Sequence, residues 1–189
     1  MYHLRRPLLL TLFAMILGCS GITVSQDYDE TVDFSGLKTF NWKTATQKKT
    51  GDVRVDNPLL DSRIRTAVDR SLSEKGYQKV SQGAPQVYLV YQYSIRSKVG
   101  SDGVQTGVGI GFGGSGRRGT VGVSSGGGVS QYDEGMLVID IIAAGSENLL
   151  WRGTGVRRLR TESGPEEITQ DVNEIVEKIL VQFPPQTKK

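Results

Sequence analysis

The chain of 189 residues has only one cysteine and one histidine, and no apolar run long enough to cross a membrane as a helix. A single cysteine excludes a disulfide within the chain and any zinc site with several cysteine ligands. A single histidine excludes a zinc site with two histidine ligands. Hydrophobic residues make up 37% of the chain and charged residues 23%, which is the composition of a folded domain rather than of a disordered segment.

The first nineteen residues have the pattern of a secretory signal. Arg5 and Arg6 precede an apolar run over residues 8–17, about half the length that a membrane-spanning helix needs. Gly18 and Cys19 follow this run, and the order Ile-Leu-Gly-Cys resembles the lipobox of bacterial lipoproteins. The resemblance implies cleavage between Gly18 and Cys19 and acylation of the Cys19 thiol. The alternative is an ordinary cysteine in a leader segment.

We therefore expect residues 1–18 to be a lipoprotein signal peptide, and the membrane to be a partner through the N-terminal lipid. Two or more acyl chains anchor a protein firmly, whereas one chain holds it only marginally. Ser20 follows the cysteine, where an aspartate would suggest retention in the inner membrane. By analogy with lipoproteins, the expected location is the outer membrane, with the domain facing the periplasm.

Cleavage would change the chemistry that is available to the chain. Removal of Arg5 and Arg6 leaves 21 basic and 20 acidic side chains, a formal charge of +1, so net charge does not favour a nucleic-acid partner. His3 would leave as well, which excludes a Ser-His-Asp or Cys-His nucleophile. We therefore predict no catalytic, cofactor-binding or metal-binding residues.

The remaining chain divides into three parts. Residues 19–35 are polar and acidic and are expected to form the lipidated N-terminus and a tether, with room for a first short strand. Residues 36–185 are predicted to form a single α+β domain, and residues 186–189 a short tail. Alternation of apolar and polar residues predicts a strand over 37–42.

Two amphipathic helices are predicted. Asn57 and Pro58 are a good N-cap and first turn, apolar residues then recur at steps of three and four, and Gly76 suits a C-terminal cap, so a helix is expected over 58–75. Acidic residues after Pro165 begin a second helix with the same periodicity, which ends before a Pro-Pro pair.

Three further strands surround a glycine-rich segment. Residues 87–95 alternate, residues 136–142 are almost continuously apolar, and residues 149–157 return after a turn. Asp140 interrupts the apolar strand, so its carboxylate must face water, pair with a cation or take up a proton. The return strand and its end carry four arginines, which either meet an acidic or phosphate partner or form a solvated strand end neutralised by Asp140 or Glu147: Arg152, Arg157, Arg158 and Arg160.

Residues 100–130 form an insert that is rich in glycine, and residues 100–128 hold 13 of the 24 glycines of the chain. The insert is expected to be a flexible surface loop, or a hairpin whose edge pairs with a partner or a second copy. Two stretches within it match a dinucleotide fingerprint formally, but no helix follows either of them, so we predict no cofactor. The candidate contact surface combines the insert with the sheet: Phe112, Arg117, Arg118, Asp140 and Arg152.

The order of elements predicts a two-layer α+β sandwich. About four mainly antiparallel strands would form an open sheet with both helices on one face, and the glycine-rich hairpin would be inserted between two strands. The other face of the sheet would be partly exposed to solvent.

With the elements in this order, the chain resembles the bacterial lipoproteins of domain of unknown function 4136. The resemblance rests on short motifs spread over nearly the whole chain after Cys19, which are Asp27-Tyr28-Asp29, Phe34-Ser35-Gly36-Leu37-Lys38-Thr39-Phe40-Asn41-Trp42, Asn57-Pro58-Leu59-Leu60-Asp61-Ser62-Arg63-Ile64, Gly76-Tyr77, Tyr132-Asp133-Glu134-Gly135, Leu149-Leu150-Trp151-Arg152-Gly153 and Phe183-Pro184-Pro185. It implies an envelope lipoprotein and carries over no catalytic residue.

Three functions follow from these observations. The leading hypothesis is a non-enzymatic outer-membrane lipoprotein that binds another envelope protein or assists envelope assembly, with its oligomeric state open. The second is a carrier of lipid or another small apolar ligand, which needs a pocket of several hundred Å3. The third is a glycan hydrolase that uses Asp140 with Glu134 or Glu147, which needs two carboxyls roughly 5–9.5 Å apart.

Overall fold

A computed structural model describes residues 21–44, 47, 49–101 and 129–186. In chain order the elements are β1 (Ile22–Tyr28), a short 3-10 helix (Phe34–Gly36), β2 (Thr39–Trp42), α1 (Pro58–Glu74), β3 (Gln78–Lys79), β4 (Val87–Ser101), β5 (Val129–Ala143), β6 (Leu149–Arg158) and α2 (Pro165–Leu180).

The strands form one open sheet of six strands in the order β1-β6-β5-β4-β2-β3. The strands β4, β5, β6 and β1 are antiparallel, whereas β2 runs parallel to both β4 and β3. The α+β class and the two helices are confirmed. The prediction of about four strands was too low, because β3 has only two residues and β1 lies in a segment too polar to give a clear strand pattern.

Helix α1 begins and ends where its capping residues predict. The side chain of Asn57 accepts a hydrogen bond from the Leu59 N–H at 2.9 Å, and Pro58 occupies the first turn. Gly76 has φ +84°, a left-handed conformation that glycine adopts without steric cost, so the chain can turn away after Glu74. The predicted helix over 58–75 differs from the observed one by a single residue.

Helix α2 packs against the two glycines of β6. The Glu167 carboxylate accepts a hydrogen bond from the Gly164 N–H at 3.0 Å, which caps the first turn. Along the buried stripe, Ile175 and Ile179 lie over Gly155, where an added Cβ would be only 2.7 Å from Ile175. The glycine therefore lets the helix backbone approach the sheet.

Both helices cover the same face of the sheet, as predicted. This helix face carries the core, which includes Trp151, Phe40, Leu89, Ile139 and Ile179. The other face, called the open face below, has no helix over it in the described part of the chain. The period-two alternation of strand side chains separates the two faces.

Strands β4 and β5 continue well beyond the rest of the sheet. Their pairing extends to Ser101 and Val129, whereas β6 pairs with β5 only as far as Glu134. We call residues 96–101 and 129–134 the arm. Most of the predicted glycine-rich insert, residues 102–128, lies outside the described residues.

Candidate functional site

An open cleft of about 760 Å3 lies on the helix face where the arm leaves the sheet. Neither helix extends over this part of the sheet. The cleft is bordered by the first half of α2, the start of α1 and the loop before it, and it is lined by Arg54, Leu60, Tyr93, Ile95, Ser97, Gln131, Tyr132, Asp133, Arg157, Arg158, Leu159, Arg160, Thr161, Ser163, Ile168, Asp171, Val172 and Ile175. Its volume is within the range of about 300–1,000 Å3 typical of small-molecule sites.

Tyr93 and Gly135 shape the floor of the cleft. The Tyr93 side chain lies across Gly135 on the neighbouring strand, and a Cβ at Gly135 would collide with the Tyr93 hydroxyl. Burial raises the pKa of Tyr93, and the charges of Arg157 and Arg54 oppose this shift in part. A phenolic hydroxyl can both donate and accept a hydrogen bond, so Tyr93 can bind a polar atom of a ligand.

The backbone of β4 is also held at Tyr93 by a side chain. The Gln47 amide donates to the Tyr93 carbonyl at 3.1 Å and accepts from the Tyr93 N–H at 2.8 Å. These are the two bonds that a neighbouring strand would make. Gln47 therefore takes the place of strand β2 beyond Trp42, the last residue of that strand. Its two bonds hold the Tyr93 backbone in position.

Arg157 forms one wall of the cleft and joins it to α2. Its guanidinium lies 2.8 Å from the Asp171 carboxylate and 3.7 Å from that of Glu174, and it donates to the Asp171 backbone carbonyl at 3.1 Å. The side chain is only 13% exposed. Its buried Nε has no hydrogen-bond partner among the described residues, so Arg157 has donor capacity left over.

Arg54 and Asp133 connect the loop before α1 to the arm. The Arg54 Nη1 donates to the Asp133 carboxylate at 2.7 Å, while the remaining guanidinium atoms bind Asp52. Hydrogen bonds from Ser97 and from Arg54 lower the pKa of Asp133. The arm is therefore held at its base by one ion pair from a loop far away in sequence.

Arg158 and Arg160 lie near the cleft. By strand alternation Arg158 shares the open face with Arg152, and its guanidinium lies 4.4 Å from the centroid of the Tyr132 ring, within the range of a cation–π contact. Arg160 makes only long contacts, at 3.7 Å to Glu167 and 3.8 Å to Asp171. The cleft thus combines an apolar floor with guanidinium groups at its edge, an arrangement that suits a ligand with an apolar body and a polar end.

Two of the predicted contact residues, Asp140 and Arg152, lie on a surface that the structure describes. Asp140 and Arg152 face each other on the open face, on the opposite side of the sheet from the cleft. Arg152 donates two hydrogen bonds of 2.7 Å to the Asp140 carboxylate, which raise the pKa of Arg152. Asp140 is only 7% exposed. Of the three expected ways to accommodate its carboxylate, pairing with a cation is therefore confirmed. The other predicted residues lie outside the described residues: Phe112, Arg117, Arg118, Gly18 and Cys19.

The arginine cluster of β6 is divided by strand alternation. Arg152 is neutralised by Asp140, as the sequence suggested. Arg157 points to the helix face and is nearly buried, so the expectation of a solvated strand end does not hold for it. Sequence reasoning missed the cleft itself, since Tyr93, Arg54 and Asp171 come from distant segments. The one indication of the cleft in the sequence was the cluster of arginines at the end of β6.

The carboxylates nominated for a hydrolase are separated or already paired. Asp140 and Glu134 are six residues apart on one strand, about 20 Å, which is too far for the carboxyl pair of a glycosidase. Glu134 binds Lys98 at 2.7 Å, and Glu147 binds Lys43 at 2.9 Å.

Among the residues that the structure describes, no group of three or more histidine, cysteine, aspartate or glutamate side chains is placed to hold a metal ion. No helix in the same ranges is both long and apolar enough to cross a membrane.

The family comparison agrees with the sequence motifs. The family model for DUF4136, described as a domain of unknown function, matches residues 24–185. A search of curated proteins found no match.

One solved structure shares the fold at low sequence identity. A crystal structure of a PDZ domain protein from Parabacteroides distasonis matches with a TM-score of 0.54 and 16% identity over 89% of this chain. The chain spans only 36% of the length of that protein. The PelC dodecamer from Paraburkholderia phytofirmans matches with a TM-score of 0.46 and 15% identity, over 89% of this chain and 99% of the other.

Proposed function

The chain belongs to the DUF4136 family, whose function is unknown, and from this premise we propose that it is a non-enzymatic lipoprotein of the outer membrane that binds a ligand or envelope partner. The lipid is carried by Cys19 and the domain faces the periplasm. The lipobox-like order of residues 16–19 supports the anchor. The observation that carries the binding function is the cleft at the base of the arm.

The geometry of the cleft favours one form of this function, a carrier or receptor for a small amphipathic molecule. Ile95 on the floor of the cleft and Val172 and Ile175 on its α2 side can cover a hydrocarbon group. The Tyr93 hydroxyl and the arginines at the edge of the cleft can bind a polar end. A purely apolar ligand would leave these polar groups without partners, which costs free energy.

Lipid attachment is tested in a bacterium that expresses the full chain. Cells are fed an alkyne-tagged palmitate, and the purified protein is analysed by intact mass. We expect wild type to lose residues 1–18 and to carry the tag, whereas Cys19→Ser should keep its leader and carry none. An unmodified Cys19 in wild type would overturn the anchor.

Binding in the cleft is tested with 1-anilinonaphthalene-8-sulfonate, a fluorophore that has an apolar ring system and an anionic end. We expect saturable binding by wild type and at least tenfold weaker binding by Ser97→Trp, because the indole would fill the cleft. Gln92→Trp is the matched control, since Gln92 is an exposed residue of the same strand on the open face. Circular dichroism confirms that both variants are folded. Equal binding by Ser97→Trp and wild type would contradict the assignment.

A further inference from the structure

The predicted anchor enters the domain at the same end as the cleft. Ile22, the first residue of β1, pairs with Arg157, which pairs with Gly135, which in turn pairs with Ile95. These four positions lie on one line across four neighbouring strands. Because Arg157 and Ile95 line the cleft, the chain that leads back to Cys19 leaves the sheet beside the cleft and the arm.

The arm is longer than the segment that joins the anchor to the sheet. Three chain steps separate Cys19 from Ile22, so their Cα atoms are at most about 11 Å apart. From Ile95, level with Ile22, strand β4 continues six residues to Ser101, about 20 Å. Twist of about 20–25° at each of the two steps from β1 to β5 reduces the projection of the arm along β1 to about 14 Å. The arm therefore extends past the anchor point.

The described side chains of the arm suit contact with lipid headgroups. Val99 is 71% exposed. The ring of Tyr132 lies at the arm base under the Arg158 guanidinium. Aromatic rings and long basic side chains are favoured at membrane interfaces because each has an apolar part and a polar tip.

The acidic side chains of the arm do not oppose this contact. The Asp133 carboxylate is bound by Arg54 at 2.7 Å, and that of Glu134 by Lys98 at 2.7 Å. Both charges are therefore compensated by neighbouring cations, and their repulsion of an anionic surface is weakened.

We propose that the arm rests on the bilayer that holds the Cys19 lipid, so that the cleft opens toward the membrane surface. This inference rests on the proposed function because it requires the lipid at Cys19. The partner is the membrane itself. The arm reaches it because β1 begins at Ile22, so the tether before the sheet is much shorter than the expected residues 19–35. A ligand of the cleft would then exchange with the membrane rather than with the bulk periplasm.

The test uses the full lipidated chain in vesicles of phosphatidylethanolamine and phosphatidylglycerol that contain nitroxide-labelled lipid. One cysteine is introduced at a time and labelled with a fluorophore, since acylation blocks the Cys19 thiol. Val99→Cys reports on the arm. Ser146→Cys is the matched control, because Ser146 is an exposed residue in the turn after β5, at the opposite end of the sheet.

We expect nitroxide to quench the label at Val99→Cys at least threefold more than the label at Ser146→Cys. Equal quenching in protein shown to be lipidated by intact mass would overturn the inference and leave the anchor intact. Protein without lipid would overturn the proposed function as well. The two failures are therefore distinguishable.

The role of the short tether is tested by inserting twelve glycine and serine residues between Ser20 and Gly21. The longer tether should lower quenching at Val99→Cys at least twofold, because the domain can then move away from the bilayer. Unchanged quenching would show that tether length does not hold the arm there, and would overturn this part of the inference.

Discussion

Two neighbouring parts of the helix face, the covered end around Trp151 and Gly155 and the arm end around Gly135, differ in which side chains pack over their glycines, although Gly155 and Gly135 are only two residues apart in register. At the covered end, Gly155 on β6 admits Ile175 and Ile179 of α2, and the helix closes over the sheet. At the arm end, Gly135 on β5 admits the Tyr93 side chain, and no described helix covers it. The same residue type therefore makes a sealed core at one end and an open cleft at the other. What differs is whether an amphipathic helix is present to fill the space.

The largest expected effect is at the covered end. Trp151 is fully buried, packs against Phe183 and donates from its indole N–H to Gln26 at 2.9 Å. Trp151→Ala should lower the free energy of unfolding by about 3–5 kcal/mol, measured by denaturant titration. Tyr132→Ala at the arm base is the control and should cost much less. Similar losses for both would remove the distinction between the ends.

The two glycines provide a direct comparison. Gly155→Ala should cost about 1–3 kcal/mol, because the new Cβ meets isoleucine side chains held between helix and sheet. Gly135→Ala should cost less than half as much, since the Tyr93 hydroxyl can move into the cleft, but it should weaken fluorophore binding. Thermal unfolding and binding are measured on both variants. A larger stability loss at Gly135 would contradict the open character of that end.

The Asp140–Arg152 pair tests the contribution of the open face. Arg152→Gln should destabilise the protein by about 1–2 kcal/mol, because it removes two charge-assisted bonds from a nearly buried carboxylate. Binding in the cleft should not change, since the pair faces away from it. The double variant with Asp140→Asn should recover part of the loss. A cleft defect in Arg152→Gln would show that the two faces are coupled.

The smallest expected effect concerns pH at the arm base. Because the folded-state pKa of Asp133 is lowered, its bonds stabilise the protein above the unfolded pKa of about 3.9 and are lost as pH falls below it. Between pH 6 and pH 3, the melting temperature of Asp133→Asn should therefore fall slightly less than that of wild type. If the melting temperatures of the variant and of wild type fell equally, the bond between Arg54 and Asp133 would contribute no measurable stability.

Periodicity and capping predicted most of the helices and strands. Asn57, Pro58 and Gly76 located α1 to within one residue, since caps act over a few neighbouring residues. The alternation over 87–95 correctly placed Leu89, Tyr91 and Tyr93 on one face. The sequence did not distinguish strand β1 from a polar tether, because few positions of this edge strand are apolar and most of its side chains are exposed.

The candidate site was predicted less well than the fold. Asp140 was recognised as needing a partner, and the strand register supplied Arg152. The cleft was not visible, because Arg54, Tyr93, Arg157 and Asp171 come from four separate segments. No local pattern records that these segments meet.

The sequence by itself determined the class of the fold, the extents of the helices and which strand residues share a face. These properties follow from local hydrogen bonding and from the repeat of apolar residues at 3.6 or 2 positions. Only the tertiary structure decided that the helices stop short of the arm, that Tyr93 lies over Gly135 and that Ile22 is level with the cleft. Those facts depend on register and packing between residues far apart in the chain, which local patterns do not specify.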